Sequence, residues 1–257
     1  MSMYVLAIDI GNSSAAIGLF NRDILIGTTI LPSNTNCNSQ SFMDRISRLT
    51  EKHNIEISNL EVSILSSVHP HLSDDICLPL KERGIPLILF DRTVFSHLPL
   101  DIPKEDEIGS DIVANALAAH HYYPGDRIII DFGTATTITG LKASGQILGV
   151  NISLGIKASL QSLNHRIPLL PKAPLHIPNQ SLGYDTISAI QNGVIKGNIG
   201  LIRHLIDVIR TEYNSEFKLI YTGGLSAFIA PYIEYPGILD RHLALKGLNQ
   251  YVHFIHP

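Results

Sequence analysis

Charged residues are scarce in this sequence of 257 residues, at 16%, and the two signs nearly cancel. The 19 Lys and Arg residues against 23 Asp and Glu residues give a formal net charge of −4. A protein built to bind nucleic acid carries a basic face or stripe, so we expect no nucleic-acid partner. Disorder is excluded as well, because 45% of the residues are hydrophobic.

Cysteine is nearly absent, and so are long apolar runs. Cys37 and Cys77 lack a metal-ligand spacing, and so few thiols are typical of a reducing compartment. No stretch approaches the roughly 18 apolar residues that a membrane helix needs. Asp9 interrupts the apolar run near the N-terminus, so we expect neither a membrane span nor a signal peptide. The chain is predicted to be cytoplasmic.

What the sequence does contain is an internal repeat. Residues 6–27 align without a gap to residues 128–149, and the offset is 131 − 9 = 122 for the two aspartates. The same offset pairs Gly11 with Gly133 and Ser14 with Thr136. Each copy has the pattern of an apolar strand, an Asp-x-Gly turn with hydroxyl residues, and a second strand. An offset of about half the chain predicts two related domains, residues 1–118 and 119–257.

Apolar periodicity predicts further elements around the two hairpins. Helices are expected over residues 41–52, 72–83 with an interruption near Pro79, 109–122, 156–163 and 186–211; strands are expected over residues 61–67, 85–90 and 218–222. Strands and helices mixed in this way indicate an α/β fold in two lobes.

The repeated turn suits phosphate and cation binding. Glycine lets the backbone approach a ligand, consecutive N–H groups and hydroxyls can donate to phosphate oxygens, and the aspartate can hold Mg²⁺. Alternatively, Asp and Gly serve hairpin geometry alone; the duplication at a constant spacing favours the phosphate site. The segment Thr222-Gly223-Gly224 follows an apolar strand and is either an ordinary turn or a contact for adenosine. No Gly-Lys dipeptide or Gly-x-Gly motif occurs, so a P-loop lysine and a dinucleotide fingerprint are missing.

These motifs resemble the phosphate and adenosine motifs of the acetate and sugar kinase, actin and chaperone ATPase superfamily. More narrowly, the string from Asp131 to Thr137, DFGTATT, is similar to that of type III pantothenate kinases. Supporting matches follow in order along the chain: Ser66-Ser67-Val68, Gly109-Ser110-Asp111, Leu170-Pro171, Gly183 with Thr186 and Gly193, and Leu245-Lys246-Gly247-Leu248. The resemblance implies an α/β fold of two ribonuclease H-like, actin-like ATPase domains around a nucleotide cleft.

The resemblance also implies an activity. This is ATP-dependent phosphorylation of pantothenate to 4′-phosphopantothenate, the first step of coenzyme A biosynthesis, by a homodimer using Mg²⁺ and a monovalent cation, K⁺ or NH₄⁺. The resemblance further implies that Asp111 is the general base and that Asp131 and Asp9 are metal ligands. The implied nucleotide-binding positions are Asp9, Ile10, Gly11, Asn12, Ser13, Ser14, Ala15, Ala16, Thr134, Gly223 and Gly224. Those implied for pantothenate are Gly109, Ser110, Asp111, Ile112 and Thr186.

Two positions keep alternatives open. Without the resemblance, Asp111 is an acid in the first turn of a helix, where it would complement the helix dipole. Ile112 stands where the family usually has arginine, and isoleucine cannot pair with a substrate carboxylate. The alternatives are therefore a nucleotide-binding regulatory homologue without transfer activity, or a kinase of another small hydroxy compound.

Overall fold

The computed structural model describes residues 3–33, 39–68 and 70–256, which fold into two compact units. Unit 1 comprises Met1–Pro124, Ser144–Ile147 and His242–Pro257, and unit 2 comprises Gly125–Ala143 and Leu148–Arg241. Both units have an α/β architecture.

Unit 1 is built on a mixed five-stranded sheet with the strand order β3-β2-β1-β4-β5. Its strands are β1 (Tyr4–Ile10), β2 (Ser14–Asn21), β3 (Ile24–Pro32), β4 (Leu60–Ser67) and β5 (Leu87–Leu89). Strands β1 to β3 form an antiparallel meander, and β4 and β5 run parallel to β1. The helices are α1 (Ser39–Lys52), α2 (Pro70–Glu82), α3 (Arg92–Phe95), α4 (Ser110–Tyr122) and the C-terminal α9 (Leu243–Ile255), and a 3₁₀ turn covers Ile57–Asn59.

The core of unit 1 follows from the apolar patterns of the sequence. Phe42, Ile46 and Leu49 recur at helical spacing on α1, and all three side chains are buried in one cluster with Leu6 and Ile8 of β1. The predicted helical stripe is confirmed.

Unit 2 repeats this plan with the strand order β10-β9-β6-β7-β8. Its strands are β6 (Arg127–Phe132), β7 (Ala135–Leu141), β8 (Ile147–Leu154), β9 (Lys218–Thr222) and β10 (Gly237–Leu239). Its helices are α5 (Ile156–Arg166), α6 (Thr186–Gln191), α7 (Gly197–Tyr213) and α8 (Ser226–Ile233), with a π-helical turn at Asn192–Lys196. Replacing β1 to β5 by β6 to β10 converts one strand order into the other, so the two units share one topology.

The two hairpins nevertheless differ by one residue at the turn. Ile10 pairs with Ala15 in the first copy, whereas Phe132 pairs with Thr136 in the second. Beyond the turn the structural offset is therefore 136 − 15 = 121. The predicted equivalence of Ser14 and Thr136 is wrong, because a gap-free alignment cannot register a turn that is one residue shorter.

Two predicted helices also differ in detail. The segment 186–211 is not one regular helix, because the π-helical turn at Asn192–Lys196 separates α6 from α7. Gly193 lies in this turn and Gly197 directly follows it. Glycine lowers the preference for regular helix at both positions. Helix α2 continues past Pro79, since an interior proline removes its own N–H donor but does not have to end the helix.

Two expectations concern cysteine and the membrane. Cys37 lies outside the described residues, as does the side chain of Cys77, so their state as free thiols stays a prediction. Among the described helices, none is long and apolar enough to cross a membrane.

Helix α9 packs on α4 at very short range. A Cβ atom at Gly247 of α9 would lie 2.6 Å from the carbonyl carbon of Ala114 on α4 and still closer to its oxygen. Ala118, four positions after Ala114 and on the same face of α4, is also fully buried. The C-terminal helix therefore belongs to unit 1, whereas the predicted division at residue 118 assigned it to the second domain.

Gly247→Ala should lower the free energy of unfolding by about 1–3 kcal/mol, because the added methyl group must push α9 away from the α4 backbone. Gly200→Ala is the matched control, since a Cβ atom at this glycine of α7 would meet no other atom within 4 Å; it should be neutral or stabilising by up to about 1 kcal/mol. Denaturant unfolding measures both variants. A Gly247→Ala protein as stable as the parent would contradict the tight packing.

Candidate functional site

The first predicted phosphate turn joins β1 to β2 in unit 1. The amide of Gly11 donates to the carbonyl oxygen of Ser14 at 3.0 Å and closes the turn. Asn12, Ser13 and Ser14 are exposed. The turn therefore presents polar side chains to solvent shortly after Asp9, where they could donate to phosphate oxygens.

The second predicted phosphate turn joins β6 to β7 in unit 2 and has additional support. The amide of Gly133 donates to the carbonyl oxygen of Ala135 at 3.1 Å, and that of Gly155 donates to the carbonyl oxygen of Thr134 at 2.9 Å. A Cβ atom at Gly155 would lie 2.5 Å from the same Thr134 oxygen. Gly155 is the N-cap of α5, so only glycine lets this helix start against the turn. This contact was not predictable from the spacing of the motifs.

Gly223 lies directly against Asp131. Parallel pairing of β6 with β9 places Thr222 opposite Asp131, and Gly223 follows with a φ of 87°. A Cβ atom at Gly223 would lie 2.7 Å from the amide nitrogen of Phe132 and would overlap the Asp131 carboxylate. The structure thus brings together the predicted adenosine motif and the predicted metal ligand within unit 2.

Asp9 in unit 1 and Asp131 in unit 2 each offer a carboxylate of the kind that can hold a cation, as the resemblance implies for both. Mg²⁺ is typically held by one or two carboxylates, with phosphate oxygens and waters as its other ligands. In the described part of the chain, no group of three or more His, Cys, Asp and Glu residues could form a protein-only metal site. The absence of a Cβ atom at Gly223 leaves room for the Asp131 carboxylate. Each carboxylate, taken by itself, suits a cation whose other ligands come from a nucleotide and from water.

The predicted base, Asp111, lies in the first turn of α4 in unit 1. Its Oδ1 atom accepts a hydrogen bond from the amide of Ile112 at 2.9 Å, and a Cβ atom at Gly109 would lie 2.5 Å from that oxygen. Burial raises the pKa of the Asp111 carboxyl, and the amides of Ile112 and of Asp111 itself lower it in part. Asp111 is thus both an acid at a helix start and a desolvated carboxylate.

The other predicted acceptor residues lie on two elements. Ser110 begins α4, and Ile112 is buried in the same turn, with 7% of its surface exposed. Thr186 belongs to unit 2, where it is exposed at the start of α6. Asp185 caps α6 by accepting from the amide of Ser188 at 2.7 Å, an N-cap that was not predicted from the sequence.

Comparisons with known proteins identify the family. A family model described as type III pantothenate kinase matches residues 5–208. A type III pantothenate kinase of Paramagnetospirillum magneticum is 31% identical over 246 residues, which cover 95% of both chains. Another, of Treponema pallidum, is 32% identical over 251 residues, 95% of this chain and 92% of the relative. This chain belongs to the type III pantothenate kinase family.

A solved structure supports the fold. The activator of the 2-hydroxyisocaproyl-CoA dehydratase from Clostridium difficile, with bound ADPNP, superposes with a TM-score of 0.58 at 12% identity and covers 97% of this chain and 94% of its own. At this identity the likeness concerns the fold alone. The predicted actin-like α/β fold, the resemblance to type III pantothenate kinases and the class of enzyme, a kinase, are confirmed. The roles assigned to single residues stay predictions.

Gly223→Ala should weaken binding of Mg·ATP at least tenfold, because the methyl group would displace the Asp131 carboxylate. Gly84→Ala is a matched control: Gly84 has a similar φ of 71°, but no atom lies within 4 Å of its Cβ position. Both variants adopt a backbone conformation that costs about 1–2 kcal/mol with a side chain present. Isothermal titration calorimetry measures the affinity. Equal affinities for Gly223→Ala and Gly84→Ala would refute a role of the Gly223–Asp131 contact in nucleotide binding.

Proposed function

We propose that this protein transfers the γ-phosphoryl group of ATP to the primary hydroxyl of pantothenate and releases ADP and 4′-phosphopantothenate. The family match over residues 5–208 carries the proposal, because it includes both phosphate turns and helix α4. The product would enter coenzyme A synthesis. The half-buried Asp111, whose carboxyl pKa is raised by desolvation, and the two glycine-containing turns agree with this chemistry.

Asp111 would accept the proton of the attacking hydroxyl. An alcohol is a weak nucleophile, and a carboxylate within hydrogen-bond reach can take its proton as the phosphorus–oxygen bond forms. Because burial raises its pKa, the carboxylate is a stronger base than an exposed aspartate. The Oδ1 atom accepts the amide of Ile112, and the other lone pairs of the carboxylate could accept the hydroxyl.

The nucleotide would be bound by backbone and hydroxyl groups rather than by a lysine. Residues 9–16 in unit 1 and Thr134 in unit 2 would donate to phosphate oxygens, and Gly223 and Gly224 would lie against the adenosine. Asp9 and Asp131 would hold the cations, Mg²⁺ and, at Asp131, K⁺ or NH₄⁺. When bound, these ions neutralise charge on the phosphates during transfer. Thr186 and residues 109–112 would contact pantothenate.

A second candidate is a kinase of another small hydroxy compound. Ile112 favours this alternative, because it places a buried apolar side chain beside Asp111 and offers no charge to a substrate carboxylate. Measuring kcat/KM for a panel of hydroxy compounds with and without a carboxylate separates the two candidates. If the protein phosphorylates pantothenate, this compound should give the highest kcat/KM. Higher kcat/KM for an uncharged alcohol would favour the second candidate.

Asp111→Asn should lower kcat by about 10²–10⁴-fold, because the amide cannot accept the proton. Asp91→Asn is the matched control, since Asp91 also accepts a helix amide, that of Thr93 at 2.9 Å, at the start of α3; its kcat should not change. Mass spectrometry of 4′-phosphopantothenate, with ATP, Mg²⁺ and K⁺ present, measures the product. Unchanged turnover of Asp111→Asn would reject Asp111 as the base, and no product from the folded parent would reject the activity itself.

We also infer a cytoplasmic homodimer. Unit 2 exposes several large apolar side chains, including Leu169 at 96%, Leu182 at 85% and Tyr184 at 80%. Surfaces of this kind are commonly covered by a protein partner, and a second copy of the chain is the partner that the family resemblance implies. ATP as the substrate and the scarcity of cysteine support the cytoplasm.

The sedimentation mass should be twice the 28.2 kDa of one chain. A double variant, Leu169→Glu with Leu182→Glu, should shift the protein towards the monomer, because charged groups would be buried at the interface. Leu78→Glu on α2 in unit 1, where the side chain is 61% exposed, is the control and should stay dimeric. Analytical ultracentrifugation that finds a monomeric parent would contradict the dimer.

A further inference from the structure

The hydroxyl of Ser66 contacts the start of the helix that carries Asp111. Ser66 is the penultimate residue of β4 and only 1% exposed, and its Oγ atom lies 2.9 Å from the Oγ atom of Ser110. Either hydroxyl can donate in this pair. Ser110 is the first residue of α4 and the direct neighbour of Asp111. A side-chain hydrogen bond thus joins the end of β4 to the first turn of α4.

The same serine stands beside Asp9. In the parallel pairing of β1 with β4, Asp9 is registered with Ser66. Neighbouring strands lie about 4.8 Å apart, and registered residues direct their side chains to the same face of the sheet. Ser66 therefore lies between the strand end that carries Asp9 and the helix start that carries Asp111.

Unit 2 has an aspartate–hydroxyl pair at the corresponding place. Asp131 is registered with Thr222 between β6 and β9, as Asp9 is with Ser66 between β1 and β4. Thr222 is also buried, with 2% of its surface exposed. A buried hydroxyl residue thus recurs beside each aspartate. This recurrence indicates that the hydroxyl helps to stabilise the region of the turn, in addition to filling space in the core.

The N-cap of α4 is a glycine, which offers no capping side chain. Gly109 occupies that position, and the Asp111 carboxylate instead accepts from the amide of Ile112. The hydrogen bond between Ser110 and Ser66 connects this turn to the sheet and would keep it in place while Asp111 contacts a substrate hydroxyl.

We propose that Ser66 is a positioning residue for the transfer step: its hydrogen bond to Ser110 fixes the first turn of α4 on β4 and directs Asp111 towards the acceptor. This inference rests on the proposed function, in which Asp111 is the base. Neither serine has to touch the reacting atoms. Loss of the pair should affect the rate of transfer more than the binding of ATP.

Ser63 offers a matched control on the same strand. It is fully buried, and its hydroxyl donates to the carbonyl oxygen of Pro86 at 2.9 Å, a contact with the segment before β5 rather than with α4. Ser63→Ala thus removes a buried hydroxyl of the same kind without touching the helix start. It should lower the melting temperature as Ser66→Ala does, with kcat unchanged.

The experiment compares Ser66→Ala, Ser110→Ala, the double variant and Ser63→Ala in steady-state kinetics. Ser66→Ala and Ser110→Ala should each lower kcat about tenfold, with the KM for ATP within twofold of the parent. The double variant should lose no more than the worse single variant, because both remove the same hydrogen bond. Ser110→Thr, which keeps a hydroxyl at a half-buried position, should restore most of kcat.

Two kinetic results would overturn the inference: parental kcat in Ser66→Ala, or independent multiplication of the two single losses in the double variant. Hydrogen exchange of the Ile112 amide gives a readout that needs no turnover. Exchange at least tenfold faster in Ser66→Ala than in Ser63→Ala supports the positioning role, and equal rates contradict it. A parent protein that binds ATP but makes no 4′-phosphopantothenate would refute the proposed function, while the exchange rates still decide the role of Ser66.

Discussion

The close approach of α9 to α4 is the constraint on which unit 1 depends. Gly247 brings the two helices to backbone contact at Ala114, and α4 is buried over most of its length. Burying a carboxylate in such surroundings costs free energy unless polar groups form hydrogen bonds with it. Asp111 is accommodated because it lies in the first turn, where helix amides have no intrahelical acceptor, and because Gly109 leaves space for its oxygen. Packing and the chemistry of the site are therefore linked at one helix.

Glycines play a similar part in unit 2, where they let the backbone approach functional groups. Gly155 allows α5 to start at the carbonyl oxygen of Thr134, and Gly223 lies against the carboxylate of Asp131. Both contacts leave no room for a Cβ atom. Unit 2 thus fixes the positions of the predicted phosphate turn and of the Asp131 carboxylate by close packing of backbone segments.

The local features of the site could be predicted from the sequence, because the residues that determine them are neighbours in the chain. The Asp-x-Gly turns, the apolar stripe of α1 and the helix that begins at Ser110 follow from spacing and turn chemistry. The features that were missed depend on residues far apart. Thr222 meets Asp131 across a parallel strand pair, Ser66 meets Ser110 across 44 positions, and Gly247 meets Ala114 through tertiary packing. A single sequence carries no signal for such pairings.

A crystal structure with a non-hydrolysable ATP analogue, Mg²⁺ and pantothenate would test the central claim most directly, namely that Asp111 receives the proton of the acceptor hydroxyl. We expect a carboxylate oxygen of Asp111 within about 3.2 Å of the primary hydroxyl of pantothenate. An Asp111 carboxylate that still accepts the amide of Ile112, with the hydroxyl bound by another group, would contradict this claim.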